Sequence, residues 1–466
     1  MYLLRMIRKR IKGIFAILAA ITVALSVSEN DGQVEQVTET QGLILSTTKS
    51  ETTKDSSVSK LQSDAEKATY IILADDMTII NGKGASFSDG VVTVRKSGNY
   101  HFKGELREGR ILVNLKEDDD KVVLNFYGVK VTSSKGAPIS VLKAPNGAEL
   151  HFGGRTHSTF IDTAERTLSY NEDEGDSAVI FSKDDIVLTG EGGVSVEANF
   201  NKGIFSKKDV IVKEAGISIM SFDDGIRSCE SVRVENSELL IVSGGDGIHT
   251  DDNSRDKKEK IIVHNSKITA FSDMDGLHCA GDVLICDGEI DMITAGGSTG
   301  RSIHKNHDSI FDDNSPDKSK NDIFAGRRAT AESSMFERMM GKNVSFSGVV
   351  SEGETAFRDT IIKINSAQHG IDSKSIEIEN GYCSIKSDGN GLYAEDDVSV
   401  DGADVNIMAY CNGMESEKIS LVDGKIFINT SGEALVSSKG NEGVRIDGAL
   451  IETKRLSDET AIFSKP

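Results

Sequence analysis

A repeat of roughly 22 residues organises the second half of this chain. Each unit begins at a glycine and continues with short runs in which apolar and polar residues alternate. The spacings between these glycines are 22, 22 and 29 residues in a first group and 21 and 22 residues in a second. The glycines of the repeat are Gly203, Gly225, Gly247, Gly276, Gly370, Gly391 and Gly413.

The alternating runs, such as VIV, ISI, VRV and IEI, have the period of two that predicts β-strands. A unit of this length is too short to enclose its own core, so neighbouring units must stack on one another. Three short strands and three turns fit one unit, whereas a propeller blade needs about twice as many residues. The 45 glycines, only 4 prolines and absence of tryptophan also favour many tight turns over a helical bundle. We therefore predict an all-β chain, wound as a parallel β-helix.

Composition divides the chain into six predicted segments. The first has a basic run followed by an apolar stretch, as a secretory signal does, although an uncleaved signal-anchor has the same layout. The second lacks a sustained apolar pattern and is rich in polar residues. The segments are 1–28, signal peptide or signal-anchor; 29–69, disordered Ser/Thr/Glu linker; 70–176, irregular N-terminal coils and cap; 177–300, coils with an acidic ladder; 301–343, charged insertion; 344–466, C-terminal coils.

The formal net charge of −21 limits the partners. Such a field repels nucleic acid and anionic lipid, so we expect no nucleic-acid partner and membrane contact only through an N-terminal anchor. It also repels acidic polysaccharides unless cations lie between protein and polymer. The five cysteines form no CxxC pair and predict neither a zinc site nor a disulfide framework. We expect a monomer that is secreted or held at the cell surface.

The residue before the repeat glycine is aspartate in three consecutive units, Asp224, Asp246 and Asp275. Equivalent positions of a parallel β-helix are about 4.8 Å apart, and carboxylates at that distance repel unless a cation bridges them. Ca²⁺ takes six to eight oxygen ligands at about 2.3–2.6 Å, so these carboxylates and their acidic neighbours predict a calcium site. An alternative is that the aspartates serve only the tight turns. The predicted metal-binding residues are Asp223, Asp224, Asp246, Asp251, Asp252, Asp273 and Asp275.

The residues two positions after the repeat glycine predict an outward-facing row of polar side chains beside the acidic ladder. The apolar residue directly after the glycine should face the core, so alternation turns the next side chain outward. Arg227, His249 and His278 occupy that outward position, and Tyr393 occupies it in a later unit. Such side chains can bind sugar hydroxyls or carboxylates, although an ordinary solvated stripe has the same composition. Zinc binding by the two histidines is not expected, because no third soft ligand accompanies them.

At these residues the chain resembles a known family. The order of GIFSKKDVIV, DDGIRS, GGDGIHTDD and DGLHCAGDVLI, with LNFYGVKVTSSKGAPISV upstream, is similar to secreted, calcium-binding carbohydrate-binding β-helix proteins related to pectate lyases. The likeness covers residues from about 120 to 450. The resemblance implies a right-handed, single-stranded parallel β-helix, bound Ca²⁺, and binding of plant cell-wall polysaccharide such as cellulose or acidic pectic sugars.

Three functions are compatible with this sequence. We favour a non-catalytic, calcium-dependent polysaccharide binder, with acidic pectic sugars preferred to cellulose because flat glucan faces usually meet aromatic rings. The second is a calcium-dependent polysaccharide lyase, in which Lys202 or Arg227 would be the base. The third is a structural surface or adhesion protein. The aromatic candidates within the repeats are few, namely Phe205, Tyr382, Tyr393 and Tyr410.

Overall fold

The computed structural model describes residues 68–116, 121–164, 178–251, 260–299 and 346–456, and this part of the chain is all-β. Apart from one 3₁₀ turn at Gly440–Gly443, its regular elements are strands. No helix in the described ranges has the length and hydropathy that a membrane span requires. The predicted signal, nearly all of the linker and the whole charged insertion lie outside these ranges.

The strands are short, and most have three to six residues. In chain order they are β1 (Thr69–Leu73), β2 (Ile79–Asn81), β3 (Ala85–Ser88), β4 (Val91–Val94), β5 (Gly98–Leu106), β6 (Arg110–Asn114), β7 (Val122–Phe126), β8 (Lys130–Ser133), β9 (Ile139–Lys143), β10 (Ala148–Phe152), β11 (His157–Asp162), β12 (Ala178–Ser182), β13 (Ile186–Thr189), β14 (Gly193–Ala198), β15 (Lys202–Ser206), β16 (Val210–Lys213), β17 (Gly216–Ser221), β18 (Ile226–Ser228), β19 (Ser231–Glu235), β20 (Glu238–Ser243), β21 (Ile248–Thr250), β22 (Lys260–His264), β23 (Lys267–Ser272), β24 (Leu277–Cys279), β25 (Asp282–Cys286), β26 (Glu289–Thr294), β27 (Val349–Arg358), β28 (Ile361–Ser366), β29 (Ile371–Glu379), β30 (Tyr382–Ser387), β31 (Leu392–Asp401), β32 (Asp404–Ala409), β33 (Met414–Ser416), β34 (Lys418–Val422), β35 (Lys425–Thr430), β36 (Leu435–Ser437), β37 (Val444–Asp447) and β38 (Leu450–Arg455).

These strands stack in three rows of parallel pairs, one strand of each coil in each row. Row 1 runs through β4, β6, β9, β12, β15, β18, β21, β24, β27, β29, β31, β33 and β36. Row 2 runs through β1, β5, β7, β10, β13, β16, β19, β22 and β25, then through the second halves of β27, β29 and β31 to β34 and β37. Row 3 runs through β8, β11, β14, β17, β20, β23, β26, β28, β30, β32, β35 and β38. The prediction of stacked coils with three strands each is confirmed as a β-solenoid.

The core consists of the inward-facing residues of all three rows. Directly after the repeat glycine, Ile226, Ile248 and Leu277 have no exposed surface and lie in register on successive coils. The alternation of buried and half-buried residues in β18, β21 and β24 follows from the pleat of the strand. One coil cannot enclose these side chains, so the apolar surface is buried only when coils stack.

The repeat glycines lie where consecutive coils approach most closely. A Cβ atom built on Gly225 would lie 2.6 Å from the carbonyl oxygen of Gly247, and the other repeat glycines have equivalent neighbours. Glycine is therefore required by the spacing of the backbones. The structure adds Gly348 to the series, between Gly276 and Gly370. The sequence pattern placed the return of the solenoid nearby but did not include this glycine in the repeat.

A sharp bend joins row 2 to row 3 in each coil. The bend contains a residue with a left-handed backbone, and where this residue is not glycine it is asparagine or aspartate in every described coil but one, since these two residues tolerate the conformation best. Asn265 donates a side-chain hydrogen bond of 2.7 Å to Asn236 Oδ1 on the preceding coil. The left-handed residues of the bend, with φ of 44–55°, are Glu214, Asn236, Asn265, Asp287, Asp359, Asn380 and Asp423.

Candidate functional site

Three aspartates lie one above another at the turn that leads from row 3 into row 1. Asp224, Asp246 and Asp275 are 4%, 3% and 1% exposed, so the structure places them as buried neighbours on consecutive coils. Hydrogen bonds of 2.9 Å from the amides of Gly225 and Gly247 to the carbonyls of Asp246 and Asp275 fix their spacing. We call these three residues the aspartate ladder.

One carboxylate oxygen of each ladder residue accepts a backbone hydrogen bond from the next coil. Oδ1 of Asp224 accepts the amide of Asp246 at 3.0 Å, and Oδ1 of Asp246 accepts the amide of Asp275 at 2.9 Å. Oδ1 of Asp275 accepts the amide of Ser347 at 2.7 Å. These bonds satisfy buried N–H groups that water cannot reach, which gives the aspartates a role in the turn itself.

The other carboxylate oxygen faces a basic side chain three residues later in the chain. Arg227 Nη1 lies 3.1 Å from Asp224 Oδ2, and His249 Nδ1 lies 2.6 Å from Asp246 Oδ2. His278 Nδ1 lies 2.9 Å from Asp275 Oδ2. The predicted acidic ladder and the predicted basic stripe thus form one structure of paired side chains. The recurring sequences DGIR, DGIH and DGLH indicate this pairing, because each places a basic residue three positions after the aspartate.

Arg227, His249 and His278, which we call the cationic row, are in register on the outer face of row 1. Their side chains are only partly exposed, at 26%, 18% and 31%. The two imidazole rings stack with centroids 4.6 Å apart and an angle of 11° between their planes. The cationic row is therefore held in one arrangement before any ligand binds.

Asp251 links two members of the cationic row across coils. It accepts hydrogen bonds from Arg227 Nε at 3.0 Å and from Arg227 Nη2. Its Oδ1 also lies 3.3 Å from His249 Nε2. The sequence predicts Asp251 only as a calcium ligand. Its contact with Arg227 joins residues 24 positions apart, and no local sequence pattern predicts it.

Two of the remaining predicted metal ligands, Asp223 and Asp273, lie near the ladder. Asp223 pairs with Lys202 Nζ at 2.6 Å, at the outer side of the same turn. Asp273 is half-buried, and its amide donates to the carbonyl of Ser243 at 3.0 Å. Asp252 lies outside the described residues.

Tyr393 is distant from the other predicted sugar-binding residues. It belongs to the same outward register, but Val350 and Asp372 occupy the two positions between it and His278. Its ring stacks on His369 with centroids 5.5 Å apart. The structure therefore brings Arg227, His249 and His278 together and does not bring Tyr393 to them.

The surroundings of the cationic row favour its charged forms. Burial lowers the pKa of His249, but its hydrogen bonds to Asp246 and Asp251 and the nearby negative charges outweigh burial and raise that pKa to about 10. Burial also opposes the charge of Arg227, yet Asp251, Asp224 and Asp223 raise the pKa of Arg227 above its usual range. The pKa of His278 is raised, since Asp275 and Asp246 outweigh burial. At neutral pH, Arg227 and His249 are therefore positively charged.

Both candidate bases of a lyase are engaged in ion pairs. A general base needs a lowered pKa to be unprotonated near neutral pH. The pKa of Arg227 is raised, and Arg227 is bound to two carboxylates. Lys202 lies in an ion pair with Asp223, and its side chain is 12% exposed.

The turn offers carboxylate oxygens of the type that a hard cation takes, while the potential ligand atoms that lie within 4.8 Å of one another there, among the described residues, belong to Asp246, His249 and His278. Asp223, Asp224, Asp246, Asp251, Asp273 and Asp275 offer carboxylate oxygens, the ligands that Ca²⁺ prefers. The Oδ1 atoms of the ladder are committed to backbone amides. The Oδ2 atoms are the ladder oxygens that a bound cation would share with the cationic row, because one carboxylate oxygen can both ligate a cation and accept a hydrogen bond.

Comparison with known proteins places the chain in a family. A protein-family model described as "Carbohydrate-binding domain-containing protein" matches residues 88–391, more than half of the chain. A carbohydrate-binding domain-containing protein of Acetivibrio thermocellus is 30% identical over 145 residues, which are 31% of this chain and 50% of that protein. The chain thus spans about half the length of this curated relative. The solved structure of the polysaccharide lyase-like protein from C. thermocellum, a gadolinium derivative, aligns with a TM-score of 0.47 and 26% identity, covering 49% of this chain and 92% of that one. Because the family model matches most of the solenoid, the chain belongs to the family of carbohydrate-binding domain-containing proteins.

Proposed function

We propose that this protein is an extracellular, non-catalytic binder of acidic polysaccharide, with the cationic row as its sugar-binding surface and Ca²⁺ as its cofactor. The observation that carries the proposal is the cationic row itself. Arg227, His249 and His278 stand side by side on the outer face, each held by a buried aspartate. Charge-assisted hydrogen bonds from such groups to uronate carboxylates are stronger than bonds to neutral hydroxyls.

The charge distribution supports an acidic rather than a neutral ligand at this surface. The chain carries −21 overall, so an acidic polymer needs a local positive region in order to approach. The cationic row places three basic side chains on consecutive coils about 4.8 Å apart, and bound Ca²⁺ would offset the carboxylates that hold them. Because the side chains are already fixed by Asp224, Asp246, Asp251 and Asp275, little side-chain entropy is lost when a ligand binds.

Calcium is the second part of the proposal. Asp223, Asp224, Asp246, Asp251, Asp252, Asp273 and Asp275 are the residues that would hold it. A bound calcium ion would add positive charge beside the cationic row and so strengthen attraction to uronates. We also infer that the coils wind in the right-handed sense, the hand that right-twisted strands favour in parallel crossovers.

Affinity electrophoresis in polygalacturonate gels, with calcium or with a chelator, tests the proposal. We expect calcium-dependent retardation that Arg227→Gln reduces at least fivefold. Arg233→Gln is the matched control, because Arg233 is a 47%-exposed arginine on row 2 outside the cationic row. Equal retardation of the two variants, or no retardation of the wild type, would overturn the proposal. Steady release of unsaturated product from polygalacturonate would overturn its non-catalytic part.

A further inference from the structure

Four exposed apolar side chains lie together on the outer face of row 2, at its N-terminal end. Tyr70 and Ile72 flank the buried Ile71 in β1, and Ile72 is the register partner of Ile79 in β2. Met77 lies in the segment that joins the two strands. Their exposed fractions are 49% for Tyr70, 53% for Ile72, 72% for Met77 and 51% for Ile79. We call these four residues the N-terminal patch.

Clustering distinguishes the N-terminal patch from ordinary surface residues. Among the described residues, ten large apolar side chains are exposed, and four of them form this patch. Single exposed apolar residues are normal on a soluble protein, whereas a contiguous apolar patch of a few hundred Å² marks a surface that another molecule covers. The patch therefore indicates an interaction surface.

Contacts beneath the N-terminal patch fix its shape. The ring of Tyr70 stacks on His101, its register partner in β5, with centroids 4.9 Å apart and an angle of 17° between the planes. In the segment between β1 and β2, the hydroxyl of Thr78 donates to the carbonyl of Ala74 at 2.9 Å. Side chains and turns that are already ordered lose little entropy when a partner docks.

The charge around the N-terminal patch is balanced, unlike the charge of the whole chain. The chain carries −21, so two copies repel each other in general. Residues 68–108, which include the patch, have equal numbers of acidic and basic side chains. The acidic residues are Asp75, Asp76, Asp89, Glu105 and Glu108, and the basic residues are Lys83, Arg95, Lys96, Lys103 and Arg107. A second copy can therefore approach here without the general repulsion.

We propose that the N-terminal patch is a dimer interface, at which two copies of this chain pack face to face around a two-fold axis. A two-fold dimer uses the same surface in both subunits, so one apolar patch is sufficient. The four side chains expose roughly 400 Å², about half of what each partner of a standard interface buries. An interface of this size predicts a dissociation constant on the order of 10 μM. This proposal differs from the monomer that we expected from the sequence.

The dimer would present two copies of the cationic row. The N-terminal patch lies on row 2 in β1 and β2, whereas the cationic row lies on row 1 in β18, β21 and β24. Docking at the patch therefore leaves the cationic row uncovered. Two linked sites bind a repeating polymer more tightly than one. This consequence rests on the proposed function, whereas the interface itself does not.

Sedimentation equilibrium of the full chain without polysaccharide, from about 1 to about 100 μM, tests the interface. We expect the wild type to change from monomer to dimer over this range. Ile72→Glu and Ile72→Lys should each weaken the dimer by about tenfold or more, because like charges then meet across the two-fold axis. An equimolar mixture of these two variants should form dimers again, because opposite charges then meet.

Leu450→Glu is the matched control. Leu450 is an exposed, outward-facing leucine at the C-terminal end of row 3, with 68% of its surface accessible. This variant should dimerise as the wild type does.

Three results would overturn the proposal. Wild-type protein that stays monomeric at every concentration, or Ile72 variants that dimerise as the wild type does, would refute the interface. Two variants that remain monomeric when mixed would refute the face-to-face arrangement. Wild-type protein that binds vesicles of phosphatidylcholine and phosphatidylglycerol through Ile72 but forms no dimer would assign the patch to a lipid surface instead. Recovery of dimers in the mixture would also show that both variants are folded.

Discussion

His249 lies between two carboxylates, with Nδ1 2.6 Å from Asp246 Oδ2 and Nε2 3.3 Å from Asp251 Oδ1. Both ring nitrogens can donate only when the imidazole is protonated. The pair of contacts therefore stabilises the imidazolium, in agreement with a His249 pKa of about 10. The positive charge of the cationic row is thus a property of the fold at neutral pH.

This arrangement predicts a loss of stability at alkaline pH. The pKa of His249 is about 10 in the folded protein, above its ordinary value of 6.5. Its contribution should be complete below pH 6.5 and should disappear as the pH rises through 10, a change on the order of 5 kcal/mol. Chemical denaturation from pH 6 to 10 measures it, and His249→Gln should flatten the profile. An unchanged profile in that variant would contradict the prediction.

Asp246→Ala and Asp246→Asn should have different effects on stability. The Ala variant leaves the buried amide of Asp275 without its acceptor at 2.9 Å and should cost about 2–4 kcal/mol in unfolding free energy. The Asn variant keeps an oxygen for that amide, as Asn390 does for the amide of Asn412 at 3.0 Å. We expect it to cost less than half as much in urea denaturation. Equal losses would show that the backbone bond is unimportant.

Calcium affinity should depend most strongly on the middle aspartate. Asp246 has a ladder carboxylate on both sides, whereas Asp224 and Asp275 have one each. Titration calorimetry with CaCl₂ should therefore show at least a tenfold loss of affinity for Asp246→Asn and a smaller loss for Asp224→Asn or Asp275→Asn. The Asn variants are suitable because they retain the backbone acceptor. Wild-type protein that binds no calcium would refute the calcium proposal.

A methyl group at a repeat glycine should destabilise the solenoid. In Gly225→Ala the new Cβ would meet the carbonyl oxygen of Gly247 at 2.6 Å, so two coils must separate locally. We expect a loss of about 1–3 kcal/mol in urea denaturation. Gly216→Ala is the control, because its Cβ meets nothing within 4 Å, and its effect should stay within about 0.5 kcal/mol. Similar losses for both would show that the contact with the Gly247 carbonyl is not the cause.

The fold could be predicted from the sequence because the glycine repeat and the alternation of apolar and polar residues are both visible in a single chain. The inward position after the glycine was predicted correctly, and Ile226, Ile248 and Leu277 are fully buried. Gly348 was missed because a long charged segment separates it from Gly276 and obscures the spacing. The small–Gly–apolar sequence Ser347–Gly348–Val349 was nevertheless present as a signal.

The site was only partly accessible from sequence. Calcium ligand and turn residue were treated as alternatives for Asp246, but its two oxygens have different partners, the amide of Asp275 and the ring of His249. A sequence pattern identifies the aspartate but cannot show that its two carboxylate oxygens have different partners. The link from Asp251 to Arg227 depends on how far one coil is offset from the next, which only the structure gives.

Coil register is independent of coil length. Ile248 pairs with Leu277 in the same way that Ile226 pairs with Ile248, although 29 residues separate the first pair and 22 the second. Leu277 then pairs with Val349 across the far longer stretch that contains 300–345. Strand pairing thus tolerates additional chain wherever it leaves and re-enters at a turn. For protein engineering, the solenoid is a display scaffold, into which a foreign epitope or a small reporter domain can be spliced at these two turns while the flanking coils keep their partners.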